Sequence, residues 1–308
     1  MRQNQRFPLF TENIKKHAIS LGLLLLLSVI TTGSAGCKKK ASIEIPKSIL
    51  QAKSATLNEL LEIVNRLDEI QTARVSNLKA EYTSEKKEGS LIELEKYPKA
   101  PGYILLKRPD STYLVIQNPV IKKREISLLS EGDEFRVWIH GRREFYIGKN
   151  SSKDLVSEEL EKNPEIPIRA VHIFEAIFPR AIPMEDPDVL YTKIEEEDAH
   201  AKYYVLTLYR YESSPRIRPL REFRIERAGL TITRQRIFDD TGQVISKIAY
   251  SNPERIDKYT LPRKIHIERP LDGYTLDLEF KDWVINPVFK DTTFSLEPVE
   301  GVKVIRFK

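Results

Sequence analysis

Tyr274-Thr275-Leu276-Asp277-Leu278-Glu279-Phe280 alternates apolar and polar residues without a break. A period of two marks a strand with one dry and one wet face, so Leu276, Leu278 and Phe280 are expected to point into a core. The same reading extends upstream. Ile265 and Ile267 share a face of residues 264–268, Phe223 and Ile225 a face of 221–226, and Phe135, Val137 and Ile139 a face of 135–140. Further short strands are predicted at 75–83, 91–95, 103–108, 113–117, 125–129, 144–148, 203–211, 231–238 and 244–250. Turn-forming groups such as Arg108-Pro109-Asp110, Asn118-Pro119, Glu131-Gly132-Asp133 and Asp239-Asp240-Thr241-Gly242 separate many of them. Closely spaced strands of this kind predict an antiparallel meander.

Two helical patterns interrupt the strands. Thr56-Leu57-Asn58-Glu59 has the form of a capping box, and Leu57, Leu60, Leu61, Val64 and Leu67 then recur at helical spacing. A second apolar helical face is marked by Ile168, Val171, Phe174, Ile177 and Phe178, after a predicted helix at 152–161. Pro164, Pro167, Pro179, Pro183 and Pro187 keep this section from forming one long helix. The expected fold is α+β: one large curved antiparallel sheet with both helical segments on one side, acting as a lid.

The N-terminus carries a different signal. Arg2, Arg6, Lys15 and Lys16 precede an apolar run beginning at Leu21, and Ser34-Ala35-Gly36 leads into Cys37, the only cysteine. The run is shorter than the ~20 residues a spanning helix needs. Ending on a lone cysteine, it resembles the bacterial lipoprotein signal, which implies acylation of Cys37 and attachment to the membrane. The alternative is an ordinary secretory leader with a spare thiol. The expected organisation is a signal peptide at 1–36, a lysine-rich tether at 37–55, and one domain at 56–308. Lys38 after the cysteine favours the bacterial outer membrane, with the domain facing the periplasm.

Composition narrows the function. The net charge of +5 falls to +2 without residues 1–36, which hold four basic residues and one acid. That weak balance gives no electrostatic footprint for nucleic acid. His140, His172, His200 and His266 lie far apart with no metal-ligand spacing, and neither a nucleophile elbow nor a phosphate loop occurs. Glu195-Glu196-Glu197-Asp198 reads as a solvated polar loop. The sequence therefore predicts neither enzyme, metal site nor cofactor.

Tyr113-Leu-Val-Ile-Gln-Asn-Pro-Val120 in the first half, and Leu276-Asp-Leu-Glu-Phe-Lys-Asp-Trp-Val-Ile-Asn286 with Phe294 in the second, resemble the LolA/LolB family of lipoprotein carriers. The resemblance implies an unclosed β-barrel with a helical lid over an apolar cavity for acyl chains. Its lining would be Phe135, Val137, Ile139, Phe223, Ile225, Ile265, Ile267, Leu276, Leu278 and Phe280. The lid would be Leu57, Leu60, Leu61, Val64 and Leu67 with Val171, Phe174, Ile177 and Phe178. The same side chains could instead form a closed core, leaving an assembly lipoprotein that binds another envelope protein. The family's tethered receptors carry an apolar residue on a loop after Asn-Pro; Val120 and Ile121 occupy that place, either protruding or buried in a strand junction. The Gly that usually follows is absent.

Overall fold

The computed structural model describes Ile49 and residues 51–88, 91–151, 168–212 and 216–307. Cys37, the leader at 1–36, most of the tether and the helix predicted at 152–161 lie outside the described residues. All those described fall in one compact unit, Ile45–Lys308.

Thr56 opens the first helix as the sequence predicts. Its side chain accepts from the Glu59 N–H while the Glu59 carboxylate accepts from the Thr56 N–H at 2.7 Å, which completes the capping box. Helix α1 (Leu57–Asn65) buries Leu60, Leu61 and Val64, and a 3-10 turn (Arg66–Glu69) carries the chain into the sheet. Six strands follow as a meander: β1 (Thr72–Glu88), β2 (Leu91–Lys107), β3 (Ser111–Gln117), β4 (Arg124–Glu131), β5 (Glu134–Ile139) and β6 (Glu144–Lys149). Helix α2 (Ala170–Ile177) then precedes β7 (Val189–Glu197), β8 (Lys202–Glu212), β9 (Arg216–Glu226), β10 (Thr231–Phe238), β11 (Val244–Ile256), β12 (Tyr259–Arg269) and β13 (Tyr274–Phe280). Short strands β14 (Trp283–Ile285) and β15 (Lys303–Arg306) finish the chain.

The spatial order is β15-β6-β5-β4-β3-β2-β1-β13-β12-β11-β10-β9-β8-β7, with β14 alongside β1. The first meander runs outward from β1, and the second runs inward from β7 until β13 meets β1. Leu278 lies opposite Ala80 and Ile265 opposite Leu278, so the apolar faces of β1, β12 and β13 coincide. Among the described residues every strand pairing is antiparallel except β15 with β6. The sheet does not close, since β15 and β7 stand at its two ends.

Its curvature follows from what α2 touches. This helix contacts β3, β4 and β12, and the Tyr250 hydroxyl of β11 lies 2.7 Å from its Ala176 carbonyl oxygen. In a flat sheet β4 and β12 would stand about 24 Å apart at ~4.8 Å per strand, whereas eight helical residues extend only about 12 Å. The sheet therefore wraps around α2. Ile173, Phe174, Ile177 and Phe178 are buried there, each contributing about 1.5–3 kcal/mol.

Several local expectations are corrected. The strands predicted at 91–95 and 103–108 are one, β2, which ends at Lys107, despite Pro98 and Pro101. β3 pairs with β2 only from Gly102 onward, so those prolines occupy a stretch with no β3 ladder to interrupt. Gly102 itself is needed, because a Cβ there would sit 2.2 Å from the Val115 carbonyl oxygen. Glu195-Glu196-Glu197 is the end of edge strand β7 rather than a loop, with its carboxylates paired to Arg227, Arg224 and Lys202. Finally, β3 is buried on both faces. Tyr113, Val115, Leu129 and Phe145 pack outward under Phe294 and Leu296 of the C-terminal segment. Asn286, at φ 53, turns the chain onto that outer face while its Oδ1 accepts from the Gln71 N–H at 2.8 Å.

Candidate functional site

The ten residues predicted to line a cavity all face inward and are at most 6% exposed. Eight of them pack with α2: Phe135, Val137, Ile139, Ile265, Ile267, Leu276, Leu278 and Phe280. Phe223 and Ile225 pack instead with Leu60, Leu61 and Val64 of α1. None of the ten lines the groove described below; Ile265 and Leu278 border a polar pocket of about 380 Å³ with Lys99, His266 and Glu279. The side chains of α2 fill the concavity over β12, β13 and β1–β5, and α1 fills the part over β8 and β9.

An apolar-walled open space lies where the two helical stripes diverge. A groove of about 530 Å³ runs between α1 with its 3-10 extension, the end of α2, and the ends of β10, β11 and β12. Ile63, Leu67, Ile177, Leu230, Ile232 and Leu261 give it apolar walls, and Tyr250 and Tyr259 flank them. Of the predicted lid residues, Leu67 and Ile177 line this groove. Leu57 and Val171 are half-buried; Leu60, Leu61, Val64, Phe174 and Phe178 lie in the core. On this face β10 and β11 present small polar side chains, Thr231, Thr233 and Ser251, which leave the gap unfilled.

Three residues hold the groove's walls. The Asn65 side chain pairs with the backbone of Ile182 as a strand would, donating to its carbonyl at 3.0 Å and accepting from its N–H at 2.7 Å. Arg108 donates to the Leu67 and Ile70 carbonyls, each at 3.0 Å, and its guanidinium stacks over Phe174 and Phe178. Burial presses the Arg108 pKa downward, opposed by Asp68, which stands 3.0 Å away. The Tyr250 hydroxyl reaches both Ala176 and the Gln235 amide, and burial drives its pKa strongly upward, so it stays a neutral donor. Gln235 Nε2 has no partner among the described residues; turning the amide over lets it donate to the Tyr250 oxygen.

Leu230 adds a fourth wall at some conformational cost. It adopts φ 50 in the β9–β10 turn, a left-handed conformation that costs a leucine about 1 kcal/mol or more. A glycine would take that turn without strain, but only a side chain there closes the groove.

Charge is distributed unevenly along the mouth. Glu59, Glu62 and Glu226 stand towards the start of α1, while Arg66, Arg255 and Lys258 stand towards its end and the β11–β12 turn. Lys258 forms an ion pair with Glu69 and holds that carboxyl below its usual range, with Arg66 adding to the effect.

The remaining sequence candidates lie elsewhere. Val120 and Ile121 are 83% and 61% exposed at the tip of the β3–β4 loop, where Asn118 Oδ1 accepts both of their N–H groups at 2.9 and 3.1 Å. His172 is half-buried beside Tyr274, with Nδ1 2.9 Å from the hydroxyl. Burial, reinforced by Arg269 and Arg169, holds it well below its ordinary pKa, so its imidazole is neutral. Among the described residues no group of His, Cys, Asp or Glu is arranged to hold a metal ion. The groove was not legible from the apolar pattern, because its floor breaks that pattern; the small and polar residues of β10 were the available signal.

No family model matches the chain, and no curated protein matches its sequence. Among solved structures, the chain is similar to a LolA superfamily protein from Nitrosomonas europaea at 15% identity and TM-score 0.47, over 79% of this chain and 99% of that one. It is similar to a DUF1329 family protein from Desulfovibrio piger at 14% identity and TM-score 0.47, over 79% and 98% of the two chains. A third is a domain described as an outer membrane lipoprotein-sorting protein from Vibrio parahaemolyticus, 12% identical with TM-score 0.43, over 76% and 95%.

Proposed function

We propose that this protein is a non-enzymatic carrier of acyl chains, anchored through acylated Cys37 to the bacterial outer membrane and facing the periplasm. Its role is to assist the transfer or localisation of lipoproteins or lipids. The observation that carries this reading is the groove: apolar walls, a half-open mouth and a volume of about 530 Å³ suit a single chain that must enter and leave. Transfer of apolar surface into it contributes ~25 cal/mol per Å2 buried, a driving force that needs no reacting group. The resemblance of the sequence to lipoprotein carriers supports the same reading.

A dansyl-labelled fatty acid titrated into the Cys37→Ala chain tests it. Saturable binding is expected, and Ile232→Trp, which fills the groove from a half-buried position at the edge of the α1 core, abolishes it while circular dichroism shows the chain still folded. Absence of saturable binding, or equal binding by the Trp variant, overturns the proposal.

The closed packing of the ten inward residues, together with the exposed Val120-Ile121 tip, favours one second reading: an assembly lipoprotein that binds another envelope protein. Mass spectrometry of organic extracts separates the two, since only a carrier retains lipid through detergent-free purification.

A further inference from the structure

We propose that the groove selects single-chain amphiphiles with an anionic head, carboxylate or phosphate, seated at the end where Arg66, Arg255 and Lys258 converge. This rests on the acyl-chain reading and adds the polarity of the ligand. The three cations line one end of the mouth, where Lys258 is paired with Glu69 and the Arg255 Nε donates to the Asp257 carbonyl oxygen at 3.2 Å. Glu59, Glu62 and Glu226 line the other end. An anionic head is therefore attracted to the first end and repelled from the second, which fixes the direction in which the chain lies.

Two elements supply these cations independently. Arg66 follows α1 and complements the negative end of its dipole, so alone it would have a purely local explanation. Arg255 and Lys258 come from the β11–β12 hairpin and have no helix to complement. All three are exposed, so the head keeps part of its hydration while the tail passes Leu67, Leu230 and Leu261. Exposed charge contacts are individually weak, and three together correspond to about a tenfold preference at low salt, falling as salt is added.

The test compares dodecanol, dodecanoate and a lysophosphatidic acid of equal chain length, each displacing a neutral fluorescent alkyl probe from the full Cys37→Ala chain. Both anions are expected to bind about tenfold tighter than dodecanol at low salt. In Arg255→Glu/Lys258→Glu they should fall to the dodecanol level while dodecanol itself is unchanged, which also reports that the groove is intact. A preference for dodecanoate alone, or for the lysophosphatidic acid alone, supports the proposal and identifies a free fatty acid or a phosphate headgroup as the source. Equal affinities for all three ligands overturn the anionic selection and leave the acyl-chain reading standing. Failure of all three to bind overturns both.

Discussion

Asn65→Ala removes the side chain that joins the end of α1 to the segment after α2. The wild-type amide donates to the Ile182 carbonyl at 3.0 Å and accepts from its N–H at 2.7 Å, and Ile182 is only 2% exposed. The substitution leaves one donor and one acceptor without a partner in a nearly dry place, each worth about 1–3 kcal/mol. We expect a loss of about 3 kcal/mol, which for a domain of this size lowers the thermal midpoint by about 6–12 °C. Differential scanning calorimetry and urea titration monitored by circular dichroism give the two numbers. Asn65→Asp should lose a similar amount, because it keeps the acceptor but places a carboxylate beside the Ile182 carbonyl. The end of α1 also forms one wall of the groove, so probe affinity should drop further than the midpoint alone implies. A variant within 1 kcal/mol of wild type would refute the assignment of Asn65 as the tie between the helical segments.

Leu278→Ala, at a position 1% exposed beneath α2, should cost about 2–5 kcal/mol and leave ligand affinity per folded molecule unchanged, since Leu278 does not line the groove. Val120→Glu should stay within about 0.5 kcal/mol of wild type in thermal melts, because Val120 is 83% exposed, while weakening attachment to liposomes or a partner; a much lower melt would place the tip in the core. Asp198 accepts the His200 and Ala201 N–H groups and pairs with Arg224, which together lower its pKa to about 2. A depressed folded pKa contributes stability that is fully present above the unfolded value and lost as pH falls through about 2. Asp198→Asn should therefore flatten the acid limb of the urea midpoint between about pH 4 and pH 2, and identical slopes would contradict the assignment.

Much of the fold was legible because β5, β9, β12 and β13 each bury one face, and an alternating strand declares its register. Thr56 and Glu59 announced α1 through a local reciprocal bond, which needs no tertiary context. The outer cover of β3–β6 was hidden because Phe294 and Leu296 come from a segment with no periodicity, although the unbroken Tyr113-Leu114-Val115-Ile116 run pointed to burial on both sides. β7 was missed because charges on an edge strand look like a loop until the strand beside it is known. The groove eluded the reading for a related reason. Apolar periodicity locates where side chains meet, whereas a groove forms where two helices diverge over Thr231, Thr233 and Ser251, a spacing that only the assembled helices determine.

Photocrosslinking with a diazirine-bearing fatty acid, followed by peptide mapping of the labelled protein, tests most directly where an acyl chain is held. The groove predicts saturable labelling confined to peptides containing Ile63–Leu67, Leu230–Thr233 and Tyr250–Pro262, abolished by Ile232→Trp. Labelling concentrated on Phe135–Ile139 and Leu276–Phe280 would place the chain beneath α2 instead and contradict the account.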